Sequence, residues 1–338
     1  MNRKAVSWLA IAALTVVIAA VWADRRSSLG SAVAQQAKVW PASAAELNQI
    51  DKIRIARGDG SQVTLVRSAA GWQVMERQFA ADAGKIRKLL LDLTELEIVE
   101  EKTSDPKRYA VLGIDAPSTP AAAGTLIELF SAGKPAVPAF ALIAGKSAGA
   151  REMYARRTTD KQGLLLRPSL VAEALPTRWL DNSLLDIKAE AIRQLEARFP
   201  TGPGWTLSRA APSTLDMTID AGSGRTVPVV DKNVLTGLLG SFANLTFDDL
   251  RTSTAPAAAA EDRLVLTTFD GLTVELAGLQ EADKRWLRIT SGSNADATRD
   301  SAQRLQSLSS GREFEIASWK YDAIFRKRDE IAPTIPRG

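Results

Sequence analysis

Residues 82–98, Asp-Ala-Gly-Lys-Ile-Arg-Lys-Leu-Leu-Leu-Asp-Leu-Thr-Glu-Leu-Glu-Ile, return in altered form at residues 231–247. With Asp82 set on Asp231, Ile86 meets Leu235, and Leu89 and Leu90 meet Leu238 and Leu239. Leu93 then meets Phe242, Leu96 meets Leu245, and Ile98 meets Phe247. In both copies an Asp leads as an N-cap or first-turn residue and apolar residues follow at helical spacing. The last two alternate as the start of a strand does. Other landmarks recur in the same order. Ile192-Arg193 echoes Ile53-Arg54, Trp205 after a Gly echoes Trp72 after a Gly, and the Ala-rich loop 254–260 echoes 119–123. Residues 264–266 echo Leu126-Ile127, and Trp319 follows Trp179. Several landmarks in one order predict an internal duplication. Two copies rather than three or more predict a pair of lobes, not a solenoid.

Each copy reads as strands, a main helix, more strands and a terminal helix. Gly58-Asp59-Gly60 lies between two β-branched runs, and Phe269-Asp270-Gly271-Leu272 repeats the signal; Asp and Gly accept the positive φ of tight hairpin turns. Residues 125–130 and 140–143 read as strands around Gly133-Lys134-Pro135, residues 153–155 and 164–166 as another pair, and residues 169–175 as a short helix. Consecutive hairpins favour antiparallel sheets with helices on one face. The expected class is α+β: an N-terminal transmembrane helix followed by two duplicated antiparallel sheet-plus-helix units. The expected boundaries are an anchor or signal over 1–26, a tether over 27–45, units over 46–188 and 189–331, and a tail over 332–338.

The N-terminal expectation rests on residues 5–23, which carry no charge and follow Arg3 and Lys4. A helix of that length spans about 28 Å, close to a hydrocarbon core. Trp8 and Trp22 stand near its ends, where amphipathic rings favour the interface. The run exceeds the usual apolar region of a cleaved signal, so an uncleaved anchor is the preferred reading. Arg25 and Arg26 follow directly, which nearly balances the positive-inside count. A short basic head most often stays in the cytoplasm. The expectation is therefore a single-pass protein of a bacterial inner membrane, in contact with lipid through this helix and with its body on the periplasmic side.

Composition narrows the chemistry. Across 338 residues there is no Cys and no His. Disulfides, thiolate nucleophiles and Cys-ligated zinc are excluded, and so are the commonest general base and the commonest transition-metal ligand. The formal charge of +4 includes Arg3 and Lys4, and no dense basic stripe remains on the body. That argues against nucleic acid as a partner. No cofactor and no catalytic residue is expected.

The leading apolar segment, Gly71-Trp72, the Asp82 helix with its double Leu, and Leu112-Gly113-Ile114-Asp115-Ala116-Pro117 together resemble a bacterial domain-of-unknown-function family of the DUF 4340 type. That family accompanies gliding-motility-type ABC transporters, and its members have no established catalytic residues. The resemblance covers about residues 39–331. It implies a membrane-anchored extracytoplasmic protein, auxiliary to a transporter or envelope complex, with an integral-membrane or envelope protein as partner. In the family an aromatic closely precedes the Leu-Gly-Ile-Asp segment; here Tyr109 stands three residues before Leu112.

Other motifs weigh less. Ala144-Gly145-Lys146-Ser147 ends like a phosphate-binding loop, but Phe140 occupies the place of the first Gly. Ser131-Ala132-Gly133-Lys134 matches the Ser-x-x-Lys nucleophile pattern, yet Gly133 and Pro135 make it a turn. Glu100-Glu101 and Asp248-Asp249 could offer oxygen ligands to calcium, but neighbours on a strand point to opposite faces. Arg326-Lys327-Arg328 reads as a solvated helix face. Trp72, Trp179, Trp205 and Trp319 stand at repeated positions and read as core. Trp286 has no twin, so Arg285, Trp286 and Arg288 form the candidate contact surface. Residues 209–230, inserted before the second helix, are the other place where the copies differ. The leading functional expectation is a non-catalytic accessory or scaffold protein. The alternative is a periplasmic binding module holding a peptide, glycan or lipid between its two lobes.

Overall fold

The computed structural model describes residues 37–134, 136–212, 216–220, 226–229, 231–253 and 261–331. The expected membrane segment over 1–26, the Ala-rich loop 254–260 and the tail 332–338 lie outside the described residues. No helix among those described is long and apolar enough to cross a membrane. The chain is α+β with antiparallel sheets.

The first half supplies nine strands: β1 (Ile50–Arg57), β2 (Gln62–Ser68), β3 (Gly71–Val74), β4 (Phe79–Ala80), β5 (Glu97–Glu101), β6 (Thr125–Ser131), β7 (Phe140–Ser147), β8 (Met153–Arg157) and β9 (Gly163–Arg167). Their order in the sheet is β4-β3-β2-β1-β6-β7-β8-β9-β5. Three helices accompany them: α1 (Ala44–Asn48), α2 (Ala83–Glu95) and α3 (Tyr109–Leu112). The hairpin signal at Gly58-Asp59-Gly60 is met by the β1–β2 turn, where Gly60 sits at φ 88°. Helix α2 buries Ile86, Leu89, Leu90 and Leu93, the stripe that the spacing specifies.

The second half begins with β10 (Ser183–Leu185), followed by β11 (Ile192–Arg198), β12 (Trp205–Ser208), β13 (Thr218–Asp220) and β14 (Thr226–Pro228). After α4 (Lys232–Gly240) come β15 (Leu245–Thr246), β16 (Asp249–Thr252), β17 (Asp262–Thr268), β18 (Leu272–Glu281) and β19 (Lys284–Ser293). Then follow α5 (Asp296–Ser309), β20 (Arg312–Ile316), α6 (Ser318–Ile324) and α7 (Arg328–Ile331). Strands β10 and β15 form a two-stranded sheet; the others run β14-β13-β12-β11-β17-β18-β19-β20-β16. Asp231 caps α4, accepting from the backbone N–H groups of Asn233 and Val234. Leu235, Leu238 and Leu239 of α4 are buried, as are Phe242, Leu245 and Phe247 beyond it.

By contact density the described chain divides into two compact units, one of residues 37–64 and 84–174 and the other of 65–83 and from 175 onward. These boundaries differ from the expected 46–188 and 189–331. The body also begins before residue 46. Lys38 bridges Glu97, Val39 is 2 % exposed, and the Trp40 ring stacks on Phe140 at 4.9 Å. Ser43 and Glu46 close a reciprocal capping box on α1. The expected tether over 27–45 therefore already joins the fold at its C-terminal part.

The two nine-stranded orders are the same when β11–β14 stand for β1–β4, β16 for β5 and β17–β20 for β6–β9. The β1–β6 register breaks between Ile50 and Lys52, and the β11–β17 register breaks between Ile192 and Gln194. Counted from these breaks, Ile53 corresponds to Leu195 rather than to Ile192. In the first half the Ile98 N–H donates to the Ala37 carbonyl; in the second the Phe247 N–H donates to Asn182.

Several expectations are corrected. Residues 169–175 are not helical; Pro176 opens a 3-10 turn, and a residue before proline disfavours the α region. Trp72 lies on β3 but Trp205 on β12, which takes the place of β2, so the two are not equivalent. Trp319 is 70 % exposed, not core, because α6 turns Tyr321 and Ile324 inward and Trp319 to the opposite side.

The halves differ in two connections. Residues 102–124, including α3, join β5 to β6, whereas residues 253–261 join β16 to β17. Residues 158–162 join β8 to β9, whereas residues 294–311, including α5, join β19 to β20.

Candidate functional site

The first unit closes one side of its strands with apolar contact. Helix α3 ends at Gly113 with φ 69°, and Ile114, wholly buried, follows. A Cβ on Gly145 would stand 2.7 Å from Ile114, and one on Gly163 2.8 Å from it. Two glycines without side chains thus make the seat for Ile114. The Arg156 Nε donates to the Ile114 carbonyl at 3.3 Å, and its guanidinium lies 4.7 Å from the Tyr109 ring. The family-like segment around Leu112–Pro117 is therefore a structural plug. Lys146, from the loop resembling a phosphate site, donates to the carbonyl of Val111 at 3.0 Å and caps α3. Residues 131–134 form a turn with Gly133 at φ 78°.

In the second unit charge takes that role. Strand pairing sets Arg251 opposite Glu313 and Trp286 opposite Glu315. Glu313, with 3 % of its side chain exposed, accepts from Arg251 at 2.7 Å, Arg288 at 2.8 Å and the Ser253 hydroxyl at 2.9 Å. Arg288 also pairs with Glu261 at 3.0 Å. The other Glu261 oxygen lies 3.6 Å from Arg263, beyond a hydrogen bond. Arg251 makes a two-pronged contact with Glu281, 2.7 Å on each arm, and its guanidinium lies 4.0 Å from the Trp286 ring centroid.

Physical cause sets the charge states. Burial raises the Glu313 carboxyl, but hydrogen bonds from Arg288, Arg251 and Ser253 outweigh it and hold the group below 4.5. The bond from Arg251 lowers Glu281, and the same bond raises Arg251. Burial pulls Arg288 down, while its bonds and the charges of Glu313 and Glu261 hold it above its ordinary value. The Glu315 bond raises Lys284. Each of these groups moves away from neutral pH, whereas an acid or base catalyst needs a pKa near the working pH.

Beside this cluster lies a cleft of about 530 Å³. Its walls are the β3–β4 turn at Glu76–Gln78, β16, Trp286 of β19, and the α5–β20 turn at Ser310–Arg312. All of these residues belong to the second unit. Gln78 at φ 50° and Gly311 at φ 68° shape the two turns. Arg77 grips Asp249 through Nε at 2.6 Å and a terminal nitrogen at 2.9 Å.

Strand alternation separates the three candidate contact residues. Trp286 and Arg288 share one face; Arg285 points to the other, 5.9 Å from the Tyr321 ring. Trp286 is 5 % exposed, and its indole N–H has no acceptor among the described residues. The basic run 326–328 is not simply solvated. Lys327 pairs with buried Asp262 at 3.2 Å and covers Phe199, and the Arg326 carbonyl accepts from Trp205. Of the inserted stretch 209–230, Arg209 is buried and donates to the Ile192 carbonyl at 2.7 Å, so its described start is structural. Asp249 is committed to Arg77, and Glu100 to Lys102 at 2.6 Å. Among the described residues no three acidic side chains gather to hold a metal ion.

Sequence reading missed Arg251, Glu313 and Arg312. Their strands alternate charge with apolar residues, which is the pattern of a solvated face, and nothing local marks a glutamate that three partners bury.

No curated protein and no solved structure matches the chain. The family model described as a domain of unknown function (DUF4340) matches residues 72–264, more than half of the chain, and the protein belongs to that family.

Proposed function

We propose that the protein is a non-catalytic, membrane-anchored extracytoplasmic accessory or scaffold of an ABC-transporter or cell-envelope complex, built from one sheet-plus-helix unit used twice. The observation that carries the non-catalytic part is the commitment of acids in the second unit. Asp249, Glu281, Glu313 and Glu315 are each held by an Arg or Lys. The bonds that lower Glu281 and Glu313 make those two carboxylates weak bases and poor nucleophiles at neutral pH. The apolar run at residues 5–23 supports the anchor, and the resemblance supports the link to gliding-motility-type transporters. The shared strand order and the paired register breaks support the duplication. Trp319, exposed on α6, is the best single contact for a protein partner, since tryptophan is enriched where interfaces form.

Affinity capture of the full chain from detergent-solubilised membranes tests this reading. The expected result is a membrane-fraction protein that brings down an integral-membrane partner, with less partner retained by Trp319→Ala. Recovery as a soluble cytoplasmic monomer without such a partner overturns it.

A second reading is a periplasmic binding module for a peptide, glycan or lipid; the cleft around Trp286, which lies wholly within the second unit rather than between two lobes as expected, supports it with polar groups and room for a small ligand.

A further inference from the structure

We infer that the cleft between the β3–β4 turn and the α5–β20 turn binds a small ligand carrying one carboxylate, held by the Arg312 guanidinium. This rests on the binding-module reading and is independent of the scaffold reading.

The cations of the cleft are unequal. Arg77 is matched by Asp249 on both arms, and Arg251 by Glu281 and Glu313. Arg312 has no carboxylate within ion-pair distance among the described residues. It donates only to carbonyls: Ser307 at 3.5 Å, Leu308 at 2.9 Å and Gln78 at 3.4 Å. A guanidinium carries five N–H donors in a planar fork, so donors remain for an incoming oxygen. The carbonyls at the C-terminal end of α5 hold the side chain in place without cancelling its charge, because they bring only partial charges.

Trp286 contributes to the wall of the cleft, and the Arg251 guanidinium lies 4.0 Å from its ring centroid. Volume and charge then narrow the class. About 530 Å³ suits a ligand of dipeptide or monosaccharide size. The neighbouring carboxylates Glu76, Asp249, Glu281 and Glu313 oppose a second negative charge, so a monoanion fits and a phosphate dianion does not. Planar two-point contact from an arginine fork is the geometry a carboxylate offers. A peptide C-terminus and a sugar acid share this chemistry.

Calorimetric and tryptophan-fluorescence titrations of the detergent-solubilised full chain test the inference. The probes are N-acetylglycylglycine, glucuronate, the methyl esters of both, and inorganic phosphate. At least one carboxylate should bind below about 10 mM, and its methyl ester about tenfold or more weaker. Phosphate should not compete, Arg312→Gln should weaken binding about tenfold, and Trp286→Phe should weaken it less and reduce the fluorescence response. Whichever carboxylate binds identifies the source. If Arg312→Gln fails to fold, Arg312→Lys and the ester comparison decide. The inference is overturned if neither carboxylate binds, if an ester or phosphate binds as well, or if the Arg312 variants bind like the wild type. A chain that still captures a membrane partner but binds no probe leaves the scaffold reading intact and removes only this one.

Discussion

The third cross-strand pair of the edge strand, β5 on β9 and β16 on β20, differs between the two sheets. In the first, Glu100 lies opposite Leu165, and Leu165 opposite Tyr154. In the second, the corresponding place holds Arg251 opposite Glu313, and Glu313 bonded to Arg288. The first unit also has the long β5–β6 connection that seats Ile114 on Gly145 and Gly163. The second has a short connection there and spends its extra length on α5 instead. One strand order therefore tolerates two closures. An apolar plug needs glycines beneath it and leaves no polar room. A charged closure needs every acid paired, and where α5 turns into β20 it leaves a polar cleft with one arginine in surplus. The fold is common to both sheets; the chemistry belongs to the second.

Breaking the charged closure should have the largest effect. Glu313→Leu removes the acid that Arg288 and Arg251 share, leaving each with one carboxylate partner, and about 3–5 kcal/mol of stability should be lost in urea unfolding. Adding Arg288→Tyr, which copies the first sheet, should recover less than half, because Glu261 then loses its closest partner. Full recovery would mean that the network is dispensable.

Breaking the apolar closure should cost somewhat less. Ile114→Ala should lower stability by about 2–4 kcal/mol through the cavity it leaves. Gly163→Ala should cost about 1–3 kcal/mol, since its methyl would meet Ile114. The double variant should cost less than the sum, because a shortened side chain makes room for the new methyl. Strict additivity would contradict direct seating.

Acid sharpens the contrast. Glu281 and Glu313 have native pKa values below the ordinary 4.5, so the unfolded chain binds more protons in that window. Their contribution is present above the unfolded pKa and is lost as pH falls through the native one. The urea midpoint should therefore drop as pH goes from 5 toward 3, and Glu313→Leu should show a shallower drop. An unchanged slope would show that the pairing is too loose to matter. The smallest effect belongs to Trp319→Ala, within about 0.5 kcal/mol for an exposed position away from any buried contact.

The sequence carried the local rules well. Spacing placed the stripe of α2, Asp231 the cap of α4, and Gly-Asp-Gly the β1–β2 turn, because each depends on neighbours in the chain. Helix α5 escaped notice because its packed positions are Thr298, Ala302 and Ser309, which carry no apolar period. The matching of Trp72 with Trp205 failed because a Gly-Trp pair does not say which strand of a meander it occupies. Trp319 misled in the opposite sense: a large aromatic suggests core, but Tyr321 and Ile324 had already claimed the inner side of so short a helix. The site was half legible. The absence of a twin singled out Trp286, but no local pattern tells that Glu313 is buried by residues from other strands.

The export of the body to the far side of the membrane is the claim on which the functional account turns, and the missing cysteines make it directly measurable. A single Val171→Cys substitution places one thiol at a position 79 % exposed and outside the proposed partner contact. Treated in intact cells with a membrane-impermeant maleimide, the membrane-bound chain should be labelled without permeabilisation. Labelling that appears only after the cells are opened would place the body in the cytoplasm and contradict the account.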